Sequence, residues 1–118
     1  MNKFSITLPL TGEYLTPVRL TTGGLCSLAG FDVDFAEDFK VCVTESLLIL
    51  KRNGFAVAEI IFTVGEKLAC AITGDMPGEN TGDTLEDDIS RALLSALMSN
   101  VDFIKDNDGN VQKITFEG

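Results

Sequence analysis

The chain reads as an α+β protein, a two-layer sandwich with helices on one face of a mostly antiparallel or mixed sheet. Three observations predict this. The elements follow the order strand, two helices, hairpin, helix, hairpin. The pairs Gly65-Glu66 and Asp108-Gly109 each lie between strand-like runs, and a long apolar stripe at helical spacing runs from Phe35 to Leu50. With 118 residues the chain is expected to form one domain, 1–118, and to bury roughly two thirds of its unfolded surface.

Residues 3–9, KFSITLP, place Phe4, Ile6 and Leu8 on one face with period two and predict a strand that Leu10-Thr11-Gly12 closes. A helix follows from about Glu13 to Ala29, with Thr16-Pro17 near its first turn, where a missing N–H is tolerated. Gly23-Gly24 inside it cost about 1 kcal/mol each against alanine, so packing or a close neighbour must hold this helix. Gly30 suits its end.

For the second helix, Asp34 is the expected N-cap, with Glu37 at capping-box spacing. Phe35, Phe39, Cys42, Val43, Leu47 and Leu50 form its apolar stripe, and Asn53-Gly54 ends it. Asp38, Glu45 and Ile49 fall along the edge of that stripe, so Glu45 and Ile49 are neighbours one turn apart. Phe55–Val64 and Lys67–Thr73 then form a hairpin around the two-residue turn Gly65-Glu66. The run 74–83, GDMPGENTGD, has loop composition. Thr84 is the expected cap of a third helix whose buried face is Ile89, Ala92, Leu93, Ala96 and Leu97, ending near Asn100. Val101–Lys105 and Val111–Phe116 form the last hairpin.

Composition removes several function classes. There is no histidine, hence no Ser-His or Cys-His nucleophile pair, and carboxylates, Tyr14 and lysines remain as acid-base groups. Cys26, Cys42 and Cys70 are odd in number and lack metal-site spacing, so they read as reduced core thiols. A net charge of -9 argues against nucleic-acid and anionic-membrane partners. No apolar run approaches the roughly 20 residues of a membrane span, and the start MNKFSITLP lacks a signal-peptide core. The expected address is cytoplasmic.

Two acidic stretches invite a cation. Asp83, Glu86, Asp87 and Asp88 suit the first turn of a helix better than a metal site, because carboxylates complement the N-terminal dipole. Asp106-Asn107-Asp108-Gly109-Asn110 has the composition of a calcium loop but lacks its glycine and closing glutamate positions, and reads as a hairpin turn.

Glu13–Leu50, EYLTPVRLTTGGLCSLAGFDVDFAEDFKVCVTESLLIL, together with the C-terminal ALLSALMSNVDFIKDNDGNVQKITF, resembles the serine-kinase anti-sigma factors of bacteria. The resemblance spans nearly the whole chain and implies the histidine-kinase-like ATPase fold. It rests on the order and spacing of elements more than on any one motif. In that family the second helix carries a Glu followed four residues later by an Asn that holds magnesium on ATP. Glu45 matches the first, and Ile49, which offers no oxygen to a hard cation, stands at the second.

The first glycine box is similar to ITGDMPG. Aligning Pro77-Gly78 puts Gly74 where an adenine-reading Asp belongs and Met76 at a glycine, while a register shifted by one residue brings Asp75 to the adenine position. At the second glycine box stand Asp88-Ile89-Ser90, and Glu86-Asp87-Asp88 sets negative charge where a triphosphate would lie.

The resemblance implies a general-base role for Glu45 in kinase members; read from the helix alone it is an edge carboxylate near Lys51 and Arg52. Asp75 is either an adenine contact or a turn residue, and Ile49 is a boundary packing residue. The favoured reading is therefore a degenerate anti-sigma-factor-like module. It binds a sigma factor or an anti-anti-sigma factor and uses neither ATP nor magnesium; members of the family often act as homodimers, and the resemblance leaves a homodimer open here. The first alternative is an active ATP-dependent serine kinase with Glu45 as base and Asp75 on adenine. A further one is a cleft that takes another small molecule or is filled by side chains.

Overall fold

The structure, a computed structural model, describes residues 2–82 and 84–118. Asp83 and the side chain of Thr84, for which an acidic-cluster role and a capping role were expected, lie outside the described residues. The elements are β1 (Asn2–Pro9), α1 (Leu15–Leu28), α2 (Val33–Arg52), β2 (Asn53–Val64), β3 (Leu68–Asn80), α3 (Thr84–Leu97), β4 (Ser99–Lys105) and β5 (Val111–Glu117). A 3-10 turn, Gly12–Tyr14, precedes α1. The five strands form one sheet in the order β1-β2-β3-β5-β4, and every neighbouring pair is antiparallel. No helix among the described residues is long and apolar enough to cross a membrane.

Register builds the core in rows. Ile6, Ile60, Ile72, Ile114 and Phe103 face one another across all five strands, and Phe4, Phe62, Cys70 and Phe116 form a second row beside them. Period-two alternation turns both rows toward the helices, and α2 covers them. Phe39 is the centre of that contact, its ring 5.2 Å from Phe116 and 6.5 Å from Phe62. The sheet edge thins the packing, so Phe4 stays 45% exposed despite lying in register.

α1 docks on α2 through Val18, Thr22, Leu25 and Cys26. The close neighbour required by Gly23 is Lys40 of α2: a Cβ at Gly23 would lie 2.8 Å from the Lys40 Cε. Arg19 Nε donates to Thr44 Oγ1 at 3.2 Å across the same contact.

Five expectations need correction. The N-cap of α2 is Asp32, whose side chain accepts from the Phe35 N–H at 2.8 Å; Glu37 pairs instead with Lys40. Ile49 is in the core with no exposure, because the apolar face of α2 is wider than its stripe once α3 covers one flank. The first hairpin turn has three residues, 65–67, since Val64 pairs with Leu68.

The stretch read as a loop is strand as far as Asn80, because the 12-residue β2 offers partners to both ends of β3: Val57 pairs with Asp75 and Phe55 with Pro77. On the far edge of β3 the β5 ladder runs along Ala69–Thr73 and stops short of Pro77, so the missing N–H of Pro77 interrupts no second ladder. Last, α3 is turned about its axis. It buries Ser90 and Leu94, with Met98 just past its end, and of the expected face only Leu97 packs against the core, while Ile89, Ala92, Leu93 and Ala96 face outward.

Candidate functional site

The last turns of α2 carry Glu45, Ile49 and Arg52, and Asn53 caps the helix C-terminus, at spacings that stack all four along one side. The first turns of α3 bring Glu86, Asp87 and Ser90 against them. Arg52 is the hub. Its Nε donates to Asp87 Oδ1 at 2.6 Å, its Nη2 to Ser90 Oγ at 2.7 Å, and its Nη1 reaches Glu86 Oε2 at 3.4 Å. The Ser90 hydroxyl in turn donates to Glu45 Oε1 at 3.1 Å.

Asn53 extends the network at the helix end. Its Nδ2 donates to Asp87 Oδ2 and to the Ile49 carbonyl, both at 2.8 Å, and its Oδ1 accepts from the Val111 N–H at 3.0 Å. Both oxygens of Asp87 are thus engaged, and the side chains of Arg52 and Asp87 are each only 13% exposed. Charge-assisted bonds in so enclosed a place are among the stronger polar contacts a fold can make. Beside the network opens a cleft of about 410 Å³ bordered by Asn80, Asp88, Arg91 and Asn110.

The residues singled out from the sequence are divided by this geometry. Glu45 belongs to the network, linked to Arg52 through Ser90. Ile49 lies one turn away with its side chain in the core and its carbonyl on Asn53. Asp75 lies on the opposite side of the sheet: Ala58 and Gly74 are the buried, helix-facing pair, and Val57 and Asp75, one residue on, face the open side with Thr7, Glu59 and Thr73. Its Oδ1 accepts from the Met76 N–H at 2.8 Å, and Met76 takes the left-handed φ of 57°.

At Gly74, where the resemblance puts an adenine-reading Asp, a Cβ would stand 2.6 Å from Phe55 Cγ, so the Phe55 ring holds that place. At Gly78 a Cβ would lie 3.1 Å from the Phe55 carbonyl, which ties this glycine to the close pairing of β2 and β3. Met76 is 60% exposed.

No motif marks Arg52, Asn53 and Asp87 as a site. Their sequence signal is faint: Ser90 stands where the resemblance expects a glycine and Arg52 is one of two bases near Glu45, yet the bonds join residues 34 to 45 positions apart. Among the described residues no three His, Cys, Asp or Glu converge as a metal would require. Asp106 Oδ1 accepts from the N–H groups of Asp108 and Asn110 in a side-chain-capped turn, with Gly109 at φ 83°.

The three thiols are buried and unpaired. Burial pushes Cys42 up to about 12, with Asp38 and Glu45 adding to the effect, and burial drives Cys70 well above its ordinary value. Cys26 is raised by burial and partly relieved by Lys40. Neutral thiols of this kind are poor nucleophiles.

No family model matches the chain. Over 54 residues it is 33% identical to the serine-protein kinase RsbW of Listeria monocytogenes and of Listeria innocua. That stretch is 46% of this chain and 34% of those proteins, so the match spans about a third of the length of the curated relatives. Distant similarity to a bacterial serine-protein kinase thus accompanies an antiparallel α+β sandwich with three helices.

Proposed function

We propose that this protein is an anti-sigma-factor-like regulator that acts by protein contact and uses neither ATP nor magnesium. The observation that carries the reading is the Arg52 network. Where the resemblance would place a metal-holding Asn, a flexible glycine pair and a triphosphate, this chain has buried Ile49, buried Ser90 and an Arg52–Asp87 ion pair. Glu45, the general base of the kinase branch, spends a hydrogen bond on Ser90. A triphosphate arriving there would meet Glu86, Asp87 and Asp88 and would have to displace Asp87 from Arg52. Phe55 over Gly74 works against adenine in the same way.

The partner is a sigma factor or an anti-anti-sigma factor, with the net charge of -9 favouring a basic contact patch. Titration calorimetry with ATP, with and without magnesium, tests the first half: the expected result is no binding at millimolar nucleotide. Magnesium-dependent binding at micromolar levels would instead support the second reading, a serine kinase, which the similarity to a serine-protein kinase favours. Glu45→Gln would then abolish phosphoryl transfer without unfolding the chain.

A further inference from the structure

α3 has two apolar faces and buries only one of them. Its inner face, Ser90, Leu94 and half-buried Leu97, with Met98 just past its end, is fixed against α2 and the core. On the opposite side Leu85, Ile89 and Leu93, spaced four residues apart, make one continuous stripe and are 68%, 54% and 37% exposed. Ala92 and Ala96 lie exposed beside them. The periodicity that marks a buried helix face in the sequence therefore points outward, because the Arg52 bonds to Asp87 and Ser90 set the rotation of the helix. A stripe built to be covered, on an element held by polar bonds on its other side, is the pattern of a contact surface.

We infer that the outer stripe of α3 is a docking surface for an amphipathic helix of another protein, one that carries Lys or Arg along its borders. The inference rests on the protein-contact reading above and names the surface and the partner's chemistry. Charge selects the occupant. Asp88 borders the stripe on one side, and Glu86, which shares its carboxylate with Arg52, borders it on the other. The one base of α3, Arg91, is turned away with its guanidinium over the Phe103 ring at 5.4 Å. An acidic-edged apolar stripe meets a basic-edged helix with complementary charge. A second copy of this chain would bring another -9 to the contact.

The experiment compares the unmodified protein with an Ile89→Ser/Leu93→Ser double variant. Both side chains face outward, at 54% and 37% exposure, so the variant loses little stability and stays folded at the temperature of the assay. The probe is a synthetic amphipathic Leu/Lys helix peptide, with its Leu/Glu counterpart as control, followed by fluorescence anisotropy at low and high salt. The expected result is salt-weakened binding of the Leu/Lys peptide alone, with an affinity loss of about tenfold or more in the variant. Equal binding by variant and unmodified protein, or equal binding of the Leu/Glu peptide, overturns the inference. So does self-association in sedimentation equilibrium that the double variant abolishes, since the stripe would then belong to a second copy.

Binding to purified sigma factors separates the two readings. If the variant holds a sigma factor as well as the unmodified protein does, the stripe is not the docking surface and the protein-contact reading stands. If neither holds a sigma or anti-anti-sigma factor while peptide binding stays stripe-dependent, the stripe inference stands and the partner class is wrong.

Discussion

Against the sheet, α2 buries Phe39, Val43, Leu47 and Leu50 in one cluster with Ile60, Phe62, Ile72 and Phe116; against α3 it offers Glu45, Arg52 and the capping Asn53. The first seam is non-directional, and its strength follows the area removed from water. The second is directional, and each bond in it has one partner. Errors should therefore spread differently: a lost methyl group in the first seam is shared among many contacts, whereas a lost guanidinium in the second strands the groups around it. The apolar seam specifies that α2 lies on the sheet, and the polar seam specifies how α3 is rotated against α2.

The largest effect is expected at Phe39. Phe39→Ala leaves a cavity between three rings and should cost about 3 to 5 kcal/mol in urea or guanidinium unfolding, a large fraction of the stability of a domain this size. Phe39→Leu should recover more than half of that, because the seam asks for volume and not for a particular partner.

Next in size is Arg52→Ala, at about 3 kcal/mol, since it leaves Asp87 enclosed without its cation. The informative companion is Arg52→Met with Asp87→Leu, which should restore most of the loss. Ser90 still donates to Glu45 in that variant, and the Asn53 amide still donates to the Ile49 carbonyl. Native-state hydrogen exchange in Arg52→Ala should rise in α3 and stay unchanged in β2 and β3. Equal acceleration across sheet and helix would show that the two seams are a single cooperative unit and remove the contrast.

The seams also differ in how legible they are. The stripe Phe39, Cys42, Val43, Leu47 and Leu50 is visible because hydrophobic burial repeats at 3.6 residues, and the alternation in Phe4, Ile6 and Leu8 and the glycine turns mark the strands in the same local way. Nothing local reports that Arg52 meets Asp87, 35 residues away. The face of α3 escapes the pattern for that reason: periodicity identifies its more apolar side, and long-range polar bonds decide which side goes in. Likewise 74–80 has turn composition, and only a partner strand as long as β2 makes it extend. Of the candidate site, Glu45 and Ile49 were visible as a helix pair, whereas the side of the sheet on which Asp75 falls depends on the strand continuing past Thr73.

A smaller effect, confined to alkaline pH, tests the thiols under the apolar seam. Their folded pKa values lie above the unfolded ones, Cys42 at about 12, so the unfolded chain loses protons first as pH rises. The thiol contribution to stability is then constant below about pH 8.5 and falls above it, by about 1.4 kcal/mol for each such thiol at about pH 9.5. Cys42→Ala should lower stability at neutral pH and flatten the alkaline slope. An unchanged slope would move the cause to other groups.

The smallest effect discriminates most sharply between sequence pattern and geometry. Asp32 and Asp34 both precede the apolar stripe of α2, and the spacing to Glu37 favours Asp34 as the cap. In the structure Asp32 has the extended backbone of an N-cap, φ −78° and ψ 174°, and takes the Phe35 N–H, while Asp34 lies in the first turn. Asp32→Ala should cost about 1 kcal/mol through the lost cap, whereas Asp34→Ala should cost no more than a few tenths through its dipole term. High salt screens the second effect and leaves most of the first, because a cap is a hydrogen bond to one amide and a first-turn carboxylate acts through a field. The reverse ranking would start α2 two residues later and move Phe35 relative to Phe31, whose ring it stacks against at 4.3 Å. The apolar seam would then need a different first turn.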